Sequence, residues 1–182
     1  MRFRDKLMKA TTRIIILVLV LFSGVGCDQA TKHIAADNLS AHQPAQNYLG
    51  GMFKLTYAEN RGAFLSLGAS LSEKQRQIFL HMIPAALLIG MFLFILRKSF
   101  QDEPGLFLQL LALSLVLSGG IGNLIDRIGQ GFVVDFMLID TGFARTGIFN
   151  VADMLIVMGT VLLFYAAIAN ALRQRKVESA AE

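Results

Sequence analysis

The chain has 182 residues, 54% of them hydrophobic and only 16% charged, with a formal net charge of +4. That length argues for one unit, residues 1–182, and the composition excludes an ordinary soluble domain. The excess of positive charge comes without a basic face carrying stacking aromatics, so no nucleic-acid partner is implied.

Apolar residues sit in four blocks, 14–27, 78–96, 106–125 and 151–172. The last three hold about 19 to 22 residues each, enough to cross ~30 Å of hydrocarbon as a helix. Soluble helices of that length would carry a polar stripe, and these do not. The fold class expected is mainly α and integral to a membrane, with four transmembrane helices and a small extracytoplasmic β-sheet. Spans fall at about 13–34, 77–97, 106–126 and 150–172, with outer segments 35–76 and 127–149.

The first block is short, at roughly 21 Å of helix. It reaches full length only by running on through Asp28-Gln29-Ala30-Thr31-Lys32 toward Ile34. Asp28 then lies near the outer membrane edge, where an ionisable group is paired or functional. A basic start, an apolar core and Gly24-Val25-Gly26-Cys27 also resemble a lipoprotein secretory signal. Such signals place a large aliphatic residue three positions before the cysteine, where Gly24 stands, so a retained anchor is expected. The single cysteine, Cys27, leaves no intramolecular disulfide, and His33, His42 and His81 lack ligand-like spacing.

Charge sets the orientation. Arg2, Arg4, Lys6, Lys9 and Arg13 precede the first span, Arg97 and Lys98 follow the second, and Arg173, Arg175 and Lys176 follow the fourth. The positive-inside rule places both termini and the 97–105 connection in the cytoplasm.

After a turn-rich stretch with Asn38, Ser40, Pro44, Asn47, Gly50 and Gly51, the run 52–57 alternates Phe53, Leu55 and Tyr57 with polar residues, a strand pattern. Asn60-Arg61-Gly62-Ala63-Phe64 follows, and the segment 58–71 is expected to act as a lid. Ser72, with Glu73 and Gln75 after it, reads as the cap of the second span. Beyond Gly129-Gln130-Gly131, residues 132–136 read as another strand. The last ten residues are polar and expected to be disordered.

Seven polar groups from distant parts of the chain converge on one layer at the outer interface. They are Asp28 at the end of span one, Asn123, Asp126 and Arg127 at the end of span three, Asn150 and Asp153 at the start of span four, and Asp135 between. Asn150 is a good N-cap, which puts Asp153 at the third helical position, where the helix dipole favours an anion. That position alone is equally compatible with a capping role. Asp135, flanked by Val133, Val134, Phe136 and Met137, is compatible with a solvated loop carboxylate or with one aimed at the bundle. Two neighbouring carboxylates can share a proton, the ionised one acting as general base on water and the protonated one polarising a carbonyl. The dipole at Asp153 would leave the shared proton nearer Asp135.

These runs, in order, resemble the motifs of the lipoprotein signal peptidases (signal peptidase II). Asp28-Gln29-Ala30-Thr31-Lys32 resembles the first and Asn60-Arg61-Gly62-Ala63-Phe64 the second. Gly119-Gly120-Ile121-Gly122-Asn123-Leu124-Ile125-Asp126-Arg127 resembles the third, and Val133-Val134-Asp135-Phe136 and Phe149-Asn150-Val151-Ala152-Asp153 the last two. The similarity spans about 13–172. It implies an aspartic endopeptidase of the bacterial inner membrane, with Asp135 and Asp153 catalytic. It implies cleavage of prolipoproteins before a diacylglyceryl-modified cysteine, without metal or cofactor. It also implies that Asn60 and Arg127 hold the substrate backbone, that Asn123, Asp126, Asn150 and Asp28 support the site, and that the partners are lipid-modified prolipoproteins and membrane lipids. A monomer is expected. Arg127 is expected to hold carbonyl oxygens and the adjacent Asp126 together. Gly119, Gly120 and Gly122 are read as close-packing residues.

Rival chemistries fit less well. Ser118 has no histidine at matching depth for a serine-type intramembrane protease, and Gly129-Gln130-Gly131-Phe132 lacks the aspartate of a presenilin-type one. A small transporter or channel would thread polar residues through the whole bilayer, whereas these cluster at one edge.

Overall fold

The computed structural model describes residues 3–40, 42–62, 72–101, 103 and 105–179. Its helices are α1 (Phe3–Asn38), α2 (Glu73–Arg76), a π-helical turn (Gln77–Met82), α3 (Ile83–Ser99), α4 (Leu106–Gln130) and α5 (Val151–Ser179). Among the described residues, four stretches are long and apolar enough to cross a membrane: Met8–Asn38, Gln77–Ser99, Leu106–Gln130 and Val151–Arg175. α1 runs unbroken through Cys27 and Asp28, so the short apolar block gains its full length from the polar run that follows.

Ser72 begins the second span as a capping box. Its hydroxyl accepts from Gln75 N–H at 3.4 Å, and its own N–H donates to Gln75 Oε1 at 3.1 Å. The π-helical turn that follows ends beside Pro84, which has no N–H to give and whose ring crowds the carbonyl four residues back.

α4 is the hub, packing against α1, α3 and α5. Its Leu106, Leu110 and Leu117 form the core with Leu17 of α1 and Ile95 of α3. Phe22, Leu87, Ile89, Val161 and Phe164 point outward and are exposed, the inverse of a soluble bundle and the arrangement lipid favours. Close approach replaces hydrophobic drive in such a bundle. A Cβ on Gly119 would collide with the carbonyl of Ala152 in α5, and one on Gly159 of α5 would lie 2.6 Å from the carbonyl of Ala112 in α4. On α1, Gly24 abuts Ser118, whose hydroxyl donates to Leu21 O at 3.1 Å. The packing role expected of Gly119 and Gly120 holds, while Gly122 abuts the carboxylate of Asp28 and so belongs to the polar cluster.

The sheet is antiparallel, in the order β1 (Gln46–Tyr48), β2 (Phe53–Asn60), β3 (Val133–Ile139). β2 and β3 outrun their expected bounds, and β1 falls in the stretch read as turns. The β1–β2 hairpin closes through Leu49, Gly50 and Gly51, all at positive φ. Leu55 pairs with Met137 but Ala58 pairs with Asp135, so β2 carries one extra residue there. Such a bulge twists a strand and re-aims its neighbours, and this one lies opposite Phe136, beside the Ala58–Asp135 pair.

Two boundaries differ from expectation. α4 continues to Gln130 and stops at Gly131, whose φ of 79° lets its N–H cap the helix on Arg127 O, so Gly129 and Gln130 are helical. α5 continues to Ser179 instead of ending near 172, because Arg173-Gln174-Arg175-Lys176 contains good helix formers and no breaker. The greater part of the expected lid, 63–71, with Ala63 and Phe64 of the second motif, lies outside the described residues.

Candidate active site

The first turn of α5 leaves backbone N–H groups without intrahelical partners, and the sequence supplies partners for them. Asn150 Oδ1 accepts from Asp153 N–H at 3.0 Å, and Asp153 Oδ2 accepts from Asn150 N–H at 3.2 Å. This reciprocal box makes Asn150 the N-cap and fixes the Asp153 side chain at the helix mouth. A third donor, Ala152 N–H, reaches Asp28 Oδ1 of α1 at 2.8 Å. Asp28 is thus a remote cap for α5 as well as a support for α1.

Asp135 lies on β3 and is 3% exposed. Asn60, at the end of β2, donates to its Oδ2 at 3.0 Å, and Asn150 donates to its Oδ1 at 2.6 Å. The solvated-loop reading of Asp135 is therefore excluded. Burial raises its pKa to about 6, and the charge of Asp153 adds to the rise. The Asn60 and Asn150 hydrogen bonds and the charge of Lys32 oppose it. Asn150, fully buried, holds both acids at once: its amide nitrogen binds Asp135 and its amide oxygen caps Asp153.

Behind them, Asn123 of α4 donates to Asp153 Oδ1 at 3.0 Å and accepts from Asn150 Nδ2 at 3.2 Å. Its oxygen also accepts from Lys32 Nζ at 3.0 Å. Lys32, 3% exposed, lies one helical turn after Asp28, with ion pairs of 2.7 Å to Asp28 and 2.9 Å to Asp126. Gln29 donates to Asp126 Oδ1 at 2.9 Å and to Gly122 O at 3.2 Å. Sequence reasoning assigned neither Lys32 nor Gln29 a role. The available signal was a lysine four positions after an aspartate inside an apolar helix, which puts both on one face.

Arg127 donates to two carbonyl oxygens of the chain itself, Gly62 O at 3.1 Å and Asn123 O at 3.4 Å. The expected pairing with its neighbour Asp126 is replaced by Lys32 and Gln29, because adjacent residues on a helix point about 100° apart. Arg61 lies over the Phe132 ring at 5.5 Å and ties the second motif to the start of β3. All eight expected site residues, Asp28, Asn60, Asn123, Asp126, Arg127, Asp135, Asn150 and Asp153, thus join one contiguous cluster of contacts. Four carboxylates in it face two cations.

The fold and this cluster define a polytopic membrane protein with a buried carboxylate site at one rim of its bundle. The signal peptidase II family model matches residues 14–169. The chain is 38% identical over 151 residues to a lipoprotein signal peptidase of Streptococcus thermophilus, covering 83% of this chain and 91% of that protein. It is 33% identical to those of Streptococcus pneumoniae, covering 87% and 94%, and of Borrelia hermsii, covering 82% and 88%. Two solved structures of bacterial membrane enzymes superpose with TM-scores of 0.68 and 0.65, each at 28% identity. The first match covers 88% of this chain and 90% of that one. The chain belongs to the signal peptidase II family, the lipoprotein signal peptidases, which remove signal peptides from prolipoproteins.

Proposed function

We propose that this peptidase works by aspartic chemistry, with Asp135 and Asp153 as the catalytic pair. The observation that carries the reading is the single Asn150 side chain holding both acids. Asp153, at the mouth of α5 and less buried than Asp135, carries the negative charge and draws a proton from the attacking water. Asp135, whose pKa is raised to about 6 by burial, holds the shared proton and donates it to the scissile carbonyl oxygen. As the tetrahedral intermediate collapses, the proton taken by Asp153 passes to the leaving amine and a hydroxyl proton of the gem-diol returns to Asp135, which releases a carboxylic acid and restores the pair. Asn60 and Arg127 present donors beside the pair, where an extended substrate backbone needs them.

The bond cleaved is the one before the diacylglyceryl-modified cysteine. The site lies at the outer face of the bacterial inner membrane, with both termini cytoplasmic, as the basic residues flanking the spans support. The protein acts as a monomer on substrates that reach it through the lipid. A transport path is disfavoured because the cluster gathers at helix ends. In membranes or micelles, Asp135→Asn and Asp153→Asn are each expected to abolish cleavage of a diacylglyceryl-modified prolipoprotein while the protein stays folded. Full activity in either variant would overturn the aspartic reading.

A further inference from the structure

The buried ammonium of Lys32 does more than its charge requires. A lysine 3% exposed inside an apolar helix needs a counter-ion, and Asp28 at 2.7 Å and Asp126 at 2.9 Å more than supply one. Its remaining reach goes to a neutral group, Asn123 Oδ1, at 3.0 Å. An ammonium can only donate, so this contact decides which end of the Asn123 amide faces α1. The amide nitrogen is thereby turned to Asp153 Oδ1, 3.0 Å away. The same Asn123 oxygen takes a hydrogen bond from Asn150 Nδ2, the atom that also binds Asp135.

We propose that Lys32 is a positioning residue for the reaction: it orients Asn123, and through Asn123 and Asn150 it holds both carboxyls in their working places. The proposal rests on the aspartic reading above. Lys32 touches neither acid directly, so it acts through the two amides and through its charge. The charged groups acting on Asp135 are Asp153 of α5, Arg127 of α4 and Lys32 of α1, and Asp28 of α1 and Asp126 of α4 stand behind them as the ion-pair partners of Lys32. Lys32 lowers the pKa of Asp135, and the attraction between Arg127 and Asp135 acts in the same direction.

The test compares Lys32→Met and Lys32→Arg in purified protein cleaving a lipidated prolipoprotein across pH, with thermal unfolding measured alongside. Lys32→Met is expected to lower kcat about ten- to a hundredfold with KM within about twofold, since misplaced groups lose rate before they lose binding. It also moves the alkaline limb of the profile up by about one pH unit, because a positive charge near Asp135 is gone. Lys32→Arg keeps that charge and leaves the limb in place, yet still slows kcat because a planar fork cannot reproduce three tetrahedral donors. If Lys32→Met does not fold, Lys32→Met/Asp126→Asn restores the charge balance and is read by kcat and KM alone, since removing an anion with the cation leaves the limb in place. An unmoved limb with wild-type kcat in a folded neutral variant would overturn the proposal. So would a fully active Lys32→Arg when neither neutral variant folds, since Lys32 would then be a folding charge only. Activity surviving Asp135→Asn or Asp153→Asn would instead sink the aspartic reading itself, so the two failures are separable.

Discussion

The Asn150 amide donates to Asp135 Oδ1 at 2.6 Å, joining the N-cap of α5 to the middle of β3. The contact couples helix capping to the geometry of the proposed chemistry, because one side chain performs both tasks. Capping and acid placement can nevertheless be separated by substitution.

Asn150→Ala removes the cap and leaves Asp135 Oδ1 short of a donor. It is expected to destabilise the protein by about 2–4 kcal/mol and to reduce cleavage by ~100-fold or more. Asn150→Ser restores a good cap but is too short to reach Asp135. Thermal unfolding of Asn150→Ser is therefore expected to recover toward wild type while the cleavage rate does not. Joint recovery of both would reduce Asn150 to a cap.

The raised pKa of Asp135 has a consequence for stability against pH. The folded protein holds the Asp135 proton more tightly than the unfolded chain does. The stabilisation is fully present below pH about 4, the ordinary carboxyl value, and is lost as pH rises through about 6. The loss is of order 2–3 kcal/mol for so buried a group. Thermal unfolding in micelles is expected to show this decline between pH 4 and 6 in wild type and to lack it in Asp135→Asn. An identical slope in both proteins would place the titration elsewhere.

Asn60 lowers the pKa of Asp135 through its hydrogen bond. Asn60→Leu is expected to shift the alkaline limb of the cleavage profile upward while decreasing the rate. A downward shift would mean that Asn60 does not stabilise the ionised form.

Breaking the buried pair from its acidic side leaves Lys32 with Asp126 as its counter-ion and uncaps the N-terminus of α5. Asp28→Ala is expected to cost about 3–5 kcal/mol and to lower the amount of folded protein in the membrane. Asp28→Asn, which keeps an acceptor for Ala152 N–H, is expected to lose less. Equal losses in both would assign the cost to charge alone.

Two glycines of α4 separate contact from propensity. Gly119→Ala forces a methyl into the Ala152 carbonyl and is expected to reduce both stability and cleavage, since Ala152 adjoins Asp153. Gly129→Ala meets nothing within 4 Å and lies in a helix, so it is expected to be neutral or to stabilise by up to about 1 kcal/mol. Gly129→Ala proving the more damaging of the two would contradict the α4–α5 packing described above.

Much of this was legible in the linear order of residues. Four apolar blocks, the Ser72 cap, one alternating run, a second strand-like run and the carboxylates at helix ends each follow from local chemistry, because period, capping and hydropathy act over a few residues. The ends of α4 and α5 were less legible, since Gly129 is helical despite its reputation as a breaker and the basic tail of α5 keeps a helical run that nothing interrupts. β1 was hidden because it is a strand by pairing with β2, not by any pattern of its own.

What only the tertiary structure decided is the wiring of the polar groups. Whether Asp135 faced water or the bundle was open in the sequence. It was settled by a β2 bulge, the reach of Asn60 and the amide of Asn150, contributed by separate elements. The partners of Asp126 and Arg127 were likewise set by helix rotation, which turns neighbours in sequence away from each other, Asp126 toward α1 and Arg127 toward Gly62 just beyond β2. A buried ammonium or carboxylate is stable only where its partners converge in three dimensions, and residue order alone does not specify that convergence.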